Sequence, residues 1–371
     1  MKNKIFLILL FSFNIYSEKL IIYAGSPIRS LKNSKLFEFI ELIKDSGFNA
    51  VHLNYGFEKI NFETYKKASD IGLKIFIHIG SPKKIGERNA VDSQGRNLNI
   101  ECPLNEKIWK SLILDRITEF FNKYKGEKFL DSVIGIHFDI ESYVDPDICY
   151  CDYCFYKYME MKKLKSNVRK EERKEYLFEK GLLLDYKNFL KNNLENIFKE
   201  IKKKINSFND ALLISYYPFS YKGIVFPFKI FFTFLLPSKF PPPLWWYVYR
   251  KSEWISHALL KGMADEKNSV ILWDDYYYWS GYIPGYDKLV NKKLKKVLNY
   301  KVRWMGSIDY LSDCFGKADY TPERAGREFY ELLKNNEYGA ILYGEIKKDT
   351  DIYESHLPYL QKIKQYLILQ K

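Results

Sequence analysis

Val133-Ile134-Gly135-Ile136-His137-Phe138-Asp139-Ile140-Glu141 is the stretch from which the fold can be read. A strand points successive side chains to opposite faces. Ile134, Ile136, Phe138 and Ile140 therefore share one side, and Gly135, His137, Asp139 and Glu141 the other. A greasy side opposite a polar side that ends in two acids suits the wall of a closed parallel barrel. The apolar set would face surrounding helices, and the acids would reach the axis at the strand's carboxyl end, where such barrels keep their chemistry. The parity recurs in Ala50–Asn54, with Val51 and Leu53 against His52 and Asn54, and in Leu73–Ile79, with Ile75, Ile77 and Ile79 against Phe76 and His78. A satisfied core residue is the plainer account of the deeper His137. It does not suit two acids at a strand mouth.

Working outward, strand-like runs occur at Leu20–Ala24, Ala50–Asn54, Leu73–Ile79, Val133–Ile140, Leu212–Tyr217, Val270–Trp273, Val302–Met305 and Ala340–Tyr343. Helical periodicity marks Ser34–Ser46, Phe62–Asp70, Lys107–Lys123, Glu172–Ile205, Pro322–Asn335 and Ile352–Ile368. Strands alternating with helices predict an α/β (β/α)8 TIM barrel over residues 18–371. Long loops are expected after strands three and five. The first carries the polar turn Asp92-Ser93-Gln94-Gly95. The second holds an apolar run over 224–249 with Pro241–Pro243, Trp245 and Trp246. Proline argues against one long helix there. A lid over the barrel mouth is expected, and contact with a membrane surface or partner through 224–249 is the competing reading.

The chain has 371 residues, is 47% hydrophobic and carries a formal charge of +13. Its lysines alternate with Glu and apolar residues along Lys162–Lys174 and Lys187–Lys204, which reads as solvated helix faces and argues against a nucleic-acid partner. Residues 1–17 combine two lysines, an apolar centre and a terminal Ser17, so a signal peptide and export to a periplasmic or extracellular space are expected. Cys149, Cys151 and Cys154 in C-x-C-x-x-C spacing put three thiols into one short loop. With Cys102 they read as a tetrahedral, structural Zn2+ site. Disulfides or free thiols are the alternative in an exported chain, and Cys314 is left over as a free thiol. No organic cofactor is expected.

The run from His137 to Met159, HFDIESYVDPDICYCDYCFYKYM, resembles the surroundings of the acid/base glutamate in family 42 glycoside hydrolases and related barrel glycosidases. There a strand-four glutamate precedes a CYC-x-x-C loop and an aromatic-bearing helix, and a cysteine from the preceding loop completes a zinc site. Cys102 in Ile100-Glu101-Cys102-Pro103 matches that cysteine. The resemblance spans roughly Asp92 to Met159 and implies a carbohydrate-active barrel with Glu141 as proton donor. The chain departs from the family in having Ile140 where the family has asparagine. At the seventh strand, Asp309 and Asp313 stand where a nucleophilic glutamate is expected. Asp139-Ile140-Glu141 also ends like the family 18 motif D-x-x-D-x-D-x-E, with Ile134 and His137 at its two earlier aspartates.

Glycoside hydrolysis needs one carboxylic acid to protonate the leaving oxygen and commonly a second carboxylate opposite. Asp139, one same-side step below Glu141, would raise the proton affinity of Glu141 by like-charge repulsion. Asp275 and Glu345, after strands six and eight, are the favoured opposite carboxylates. His52, Asn54, His78, His137, Trp273, Tyr276, Trp279 and Asp309 are the expected contacts to a poly- or oligosaccharide. Two other functions compete: a barrel that only binds glycan or serves as an envelope scaffold, and a hydrolase with a catalytic metal on His52, His78 and His137. Against the metal stands the absence of an H-x-H pair.

Overall fold

Runs of β-branched and aromatic residues become strands here because each can bury one face against helices and the other inside a ring. The strands are β1 (Leu20–Gly25), β2 (Ala50–Leu53), β3 (Lys74–Ile79), β4 (Asn89–Val91), β5 (Asn97–Glu101), β6 (Val133–Asp139), β7 (Leu213–Tyr217), β8 (Val270–Asp274), β9 (Val302–Asp309) and β10 (Gly339–Gly344). All except β4 and β5 form a closed parallel barrel in the order β1-β2-β3-β6-β7-β8-β9-β10. The structure, a computed structural model, describes residues 19–25, 28, 30–31, 33–53, 62–79, 87–139, 147–164, 167–217, 253–264, 270–274, 282, 284, 302–310, 320–344 and 351–368. The eight barrel strands fall on the eight expected runs, so the (β/α)8 expectation holds.

Two cores follow from strand alternation. Inside the ring, Leu20, Ile22, Ala24, Ala50, Phe76, Ile271, Trp273, Met305 and Ile341 pack together. Outside it, Val51, Leu53, Ile75, Ile77, Ile136, Phe138 and Ile214 pack against the helical layer. One expected neighbour is misplaced. Between β3 and β6 the register runs Ile75 to Val133 and then Phe76 to Gly135, so Ile134 is an extra, bulged residue. A bulge turns its residue off the regular alternation, and Ile134 packs on the inner cluster, away from Ile136 and Phe138.

Gly135 sits at that bulge against the inner core. A Cβ there would meet the Phe76 ring at 2.4 and 2.7 Å and the Leu213 carbonyl oxygen at 2.9 Å. Gly135→Ala is expected to destabilise the protein by about 1–3 kcal/mol, the range for overpacking. Denaturant titration checks it; an unchanged midpoint would mean that Phe76 yields freely.

The helices are α1 (Asn33–Asp45), α2 (Phe62–Asp70), α3 (Glu106–Trp109), α4 (Arg116–Lys123), α5 (Asp152–Met161), α6 (Arg173–Glu179), α7 (Leu183–Asn206), α8 (Glu253–Met263), α9 (Pro322–Asn335) and α10 (Ile352–Ile368). Apolar spacing sets their buried stripes. In α1, Leu36, Phe39, Ile40 and Ile43 are buried; in α7 they are Tyr186, Phe189, Leu190, Leu194, Phe198, Ile201 and Ile205.

Several sequence expectations need correction. Glu172–Ile205 is two helices, because Gly181 adopts φ +67° and the Leu182 amide donates to Leu177 O at 2.7 Å, a glycine-terminated stop. Lys107–Lys123 is helical throughout but passes through a π turn at Lys110–Asp115. Lys162–Lys174 is not one helix face: α5 ends at Met161 with Lys163 at φ 56°, and helical structure resumes at Lys170. The excursion after the third strand is no plain loop, since it contains the antiparallel pair β4 and β5. Helix α8 was not expected, because the proline-rich run before it dominated the reading of that region. Residues 1–17, Cys314 and the 224–249 run lie outside the described residues. Among the described residues, no helix is long and apolar enough to cross a membrane.

Candidate functional site

The β4–β5 hairpin closes through Asp92. Its Oδ1 accepts from the Gln94 and Arg96 amides, both at 2.9 Å, and its Oδ2 from Arg96 Nε at 2.6 Å, while Gly95 takes φ +79°. Burial alone would raise the Asp92 carboxyl, but these donors outweigh it and hold the group below its usual range. The hairpin delivers Cys102, whose amide donates to Arg88 O at 2.7 Å. The Tyr150 amide donates to Val91 O at 2.9 Å, which stitches the cysteine loop to the hairpin.

All four expected ligands meet. Cys102 Sγ lies 3.4 Å from Cys154 Sγ and 3.6 Å from Cys151 Sγ. The sulfurs of Cys102, Cys149, Cys151 and Cys154 all lie within 4.8 Å of one another, buried and in no disulfide. A disulfide would bring two sulfurs to about 2.05 Å. A tetrahedral zinc with Zn–S of about 2.3 Å spaces them about 3.8 Å apart, so the donor set fits such an ion. Cys151 caps α5 and Cys154 lies in its first turn, where the helix dipole favours thiolates. Burial pushes the Cys154 thiol up, while hydrogen bonds, first from Cys102 and then from Cys149 and Cys154, hold Cys151 down.

The loop is braced from outside by residues that sequence reading missed. Arg173 is 2% exposed. Its guanidinium donates to Tyr150 O and to Asp152 Oδ1, both at 2.6 Å, and lies over the Phe155 ring at 4.9 Å. Tyr186 donates to Cys149 O at 2.6 Å, and Trp254 Nε1 to Ile148 O at 2.7 Å. Asp147 pairs with Lys174 at 2.6 Å and Lys187 at 3.0 Å. Each partner comes from a helix distant in sequence, so no local spacing announces it. Arg173→Lys keeps the charge but loses the planar fork. It is expected to lower stability by about 2 kcal/mol, the scale of one lost charged hydrogen bond to a buried carbonyl. Thermal melting checks it, and an unchanged melting point would show that water replaces the guanidinium.

Across the barrel interior, His52, His78 and His137 come from β2, β3 and β6. His78 and His137 are register partners, and His52 pairs with Phe76 two residues below His78. The His137 ring lies 4.6 Å from that of His52 and 5.0 Å from that of His78, and their ligand nitrogens fall within 4.8 Å of one another. His137 Nδ1 is bonded to Ser215 Oγ at 2.9 Å. The Trp273 ring packs on His52 at 5.2 Å, on His137 at 4.7 Å and on Tyr343 at 5.7 Å. Burial, with a smaller push from neighbouring histidines, drives His52 and His137 well below the ordinary imidazole range, so both are neutral.

Asp309 ends β9, buried and in register with Tyr343 of β10. Asp139 ends β6, in register with Tyr217. Glu141, Asp275, Glu345, Asn54, Tyr276 and Trp279 lie outside the described residues. Apart from Asp139 and Asp309 at their strand ends, the described expected residues fall into two groups: the cysteine quartet beside β6, and the histidines with Trp273 inside the ring.

No family profile matches the sequence, and no curated protein matches it. Solved structures share the fold. A beta-galactosidase from the psychrophilic Marinomonas ef1 superposes with TM-score 0.57 at 8% identity, over 95% of this chain and 60% of its own. A GH42 beta-galactosidase from G. stearothermophilus gives 0.53 at 11%, over 94% and 57%. Alpha-L-fucosidase isoenzyme 2 from Paenibacillus thiaminolyticus gives 0.51 at 14%, over 95% and 49%. The chain therefore has a barrel fold found among glycoside hydrolases and spans about half to three fifths of their lengths.

Proposed function

We propose that this barrel is a glycoside hydrolase acting on a poly- or oligosaccharide, with Glu141 as general acid/base and Asp139 assisting it. One observation supports this most. The described residues on either side of Glu141 are anchored, Asp139 at the carboxyl end of β6 and the loop from Asp147 to Cys154 by its cross-braces. A proton donor must stand within about 3 Å of the leaving oxygen, and anchoring both flanks of a short segment restricts where it can go. The cysteine quartet would hold a structural zinc; with four protein ligands it leaves no position for a reacting water. Asp275 or Glu345 supplies the opposite carboxylate. Asn54, Tyr276, Trp279, Asp309 and the histidine–Trp273 floor bound the sugar. Residues 1–17 serve as an export leader and residues 18–371 form the catalytic barrel.

Turnover is the test. Aryl and natural glycosides are offered to the wild type and to Glu141→Gln, with release of aglycone or reducing ends as the readout. Equal rates would remove Glu141 from the mechanism. Saturable glycan binding by a wild type that releases nothing would leave the barrel a binder.

A further inference from the structure

We propose that His52, His78 and His137 together bind one divalent transition-metal ion inside the barrel, separate from the cysteine quartet. The ligands come from three neighbouring strands, one from each. The barrel ladder, by placing His78 opposite His137 and His52 one inward step away, does what an H-x-H pair does within one strand. All three are buried, and their nitrogens lie within 4.8 Å of one another. Three nitrogens about 2.1 Å from one ion stand about 3.4 Å apart, so small ring rotations complete the site.

Two further observations favour a ligand over ordinary core packing. Neither ring nitrogen of His52 has a hydrogen-bond partner among the described residues. A buried polar group left without a partner is costly, and a metal would offset that cost. His137, by contrast, is fixed through Nδ1 by Ser215 Oγ, which leaves Nε2 available, the outer-shell arrangement common for ligating imidazoles. Three imidazoles suit zinc, cobalt, nickel, copper or iron, and exclude the hard calcium and magnesium ions by donor type. Three protein ligands leave one position open for water or a substrate oxygen. The inference does not depend on glycoside cleavage, because its readout is the metal itself.

The test equilibrates the full chain with zinc(II), removes free ion by gel filtration and measures zinc per chain. The wild type is expected to carry one equivalent more than either His52→Ala or His137→Ala. Ser215→Ala keeps every nitrogen and is expected to weaken that equivalent about 10–100-fold. Equal zinc in the wild type and both histidine variants would overturn the proposal. If those variants do not fold, zinc X-ray absorption of the wild type decides. A mixed nitrogen and sulfur shell supports the site, and a shell of sulfur alone sinks it.

Discussion

Glu141→Gln is expected to slow hydrolysis of unactivated glycosides by about 10²–10⁴-fold, the usual contribution of a positioned general acid. The amide keeps the volume and loses the proton. The deficit should depend on the leaving group: a sugar alkoxide needs that proton, and an acidic nitrophenolate departs nearly without it. The alkaline limb of the pH–rate profile, set by loss of the acid's proton, should disappear as well. Comparing kcat/KM for natural and aryl substrates checks all of this. A loss of the same size on both substrates would make Glu141 a residue of position or charge and not a proton donor.

Loss of the cysteine quartet has the second large effect, and it acts on stability. Cys154→Ser removes a buried sulfur from the first turn of α5 and leaves three of the four sulfurs of the proposed zinc site. Loss of a structural metal belongs among the few changes that exceed about 4 kcal/mol. At about 2–4 °C per kcal/mol for a large domain, melting should fall by roughly 8–16 °C. A chelator strong enough to strip the wild type should bring it to a similar melting point. On the proposed function, the segment bearing Glu141 loses one anchor in the process, so activity should fall before the barrel melts. A variant that melts with the wild type, and a wild type indifferent to chelator, would together show that the quartet is a cluster of thiols and no metal site.

Much of this was legible because barrel strands and their helices carry local signals. Thr321-Pro322 opens α9 with a side-chain cap to the Arg324 amide at 3.2 Å and a proline in the first turn, and the expected helix begins there. The C-x-C-x-x-C spacing brought three sulfurs together by chain length alone. Cys102 lies 47 residues from Cys149 along the chain, too far for local spacing to place it there; the need for a fourth thiolate and the resemblance both point to it. The helix break at Gly181 had a signal, Lys180-Gly181, that the longer apolar periodicity concealed. The Ile134 bulge had none, because one extra residue in a ladder is defined only against the neighbouring strand.

The sequence by itself determined the order of the eight barrel strands, the inward parity of His52, His78 and His137, and the candidate acid just beyond the fourth of them. Alternation and periodicity are properties of one segment with its own neighbours, so composition and spacing suffice for them. Only the tertiary structure decided that the three histidines form one cluster, that β4 and β5 carry Cys102 to the loop after β6, and that Arg173, Tyr186 and Trp254 hold that loop. These contacts depend on the register between strands and on which helix faces pack together. Both are fixed when the ring closes and buried polar groups must find partners across it.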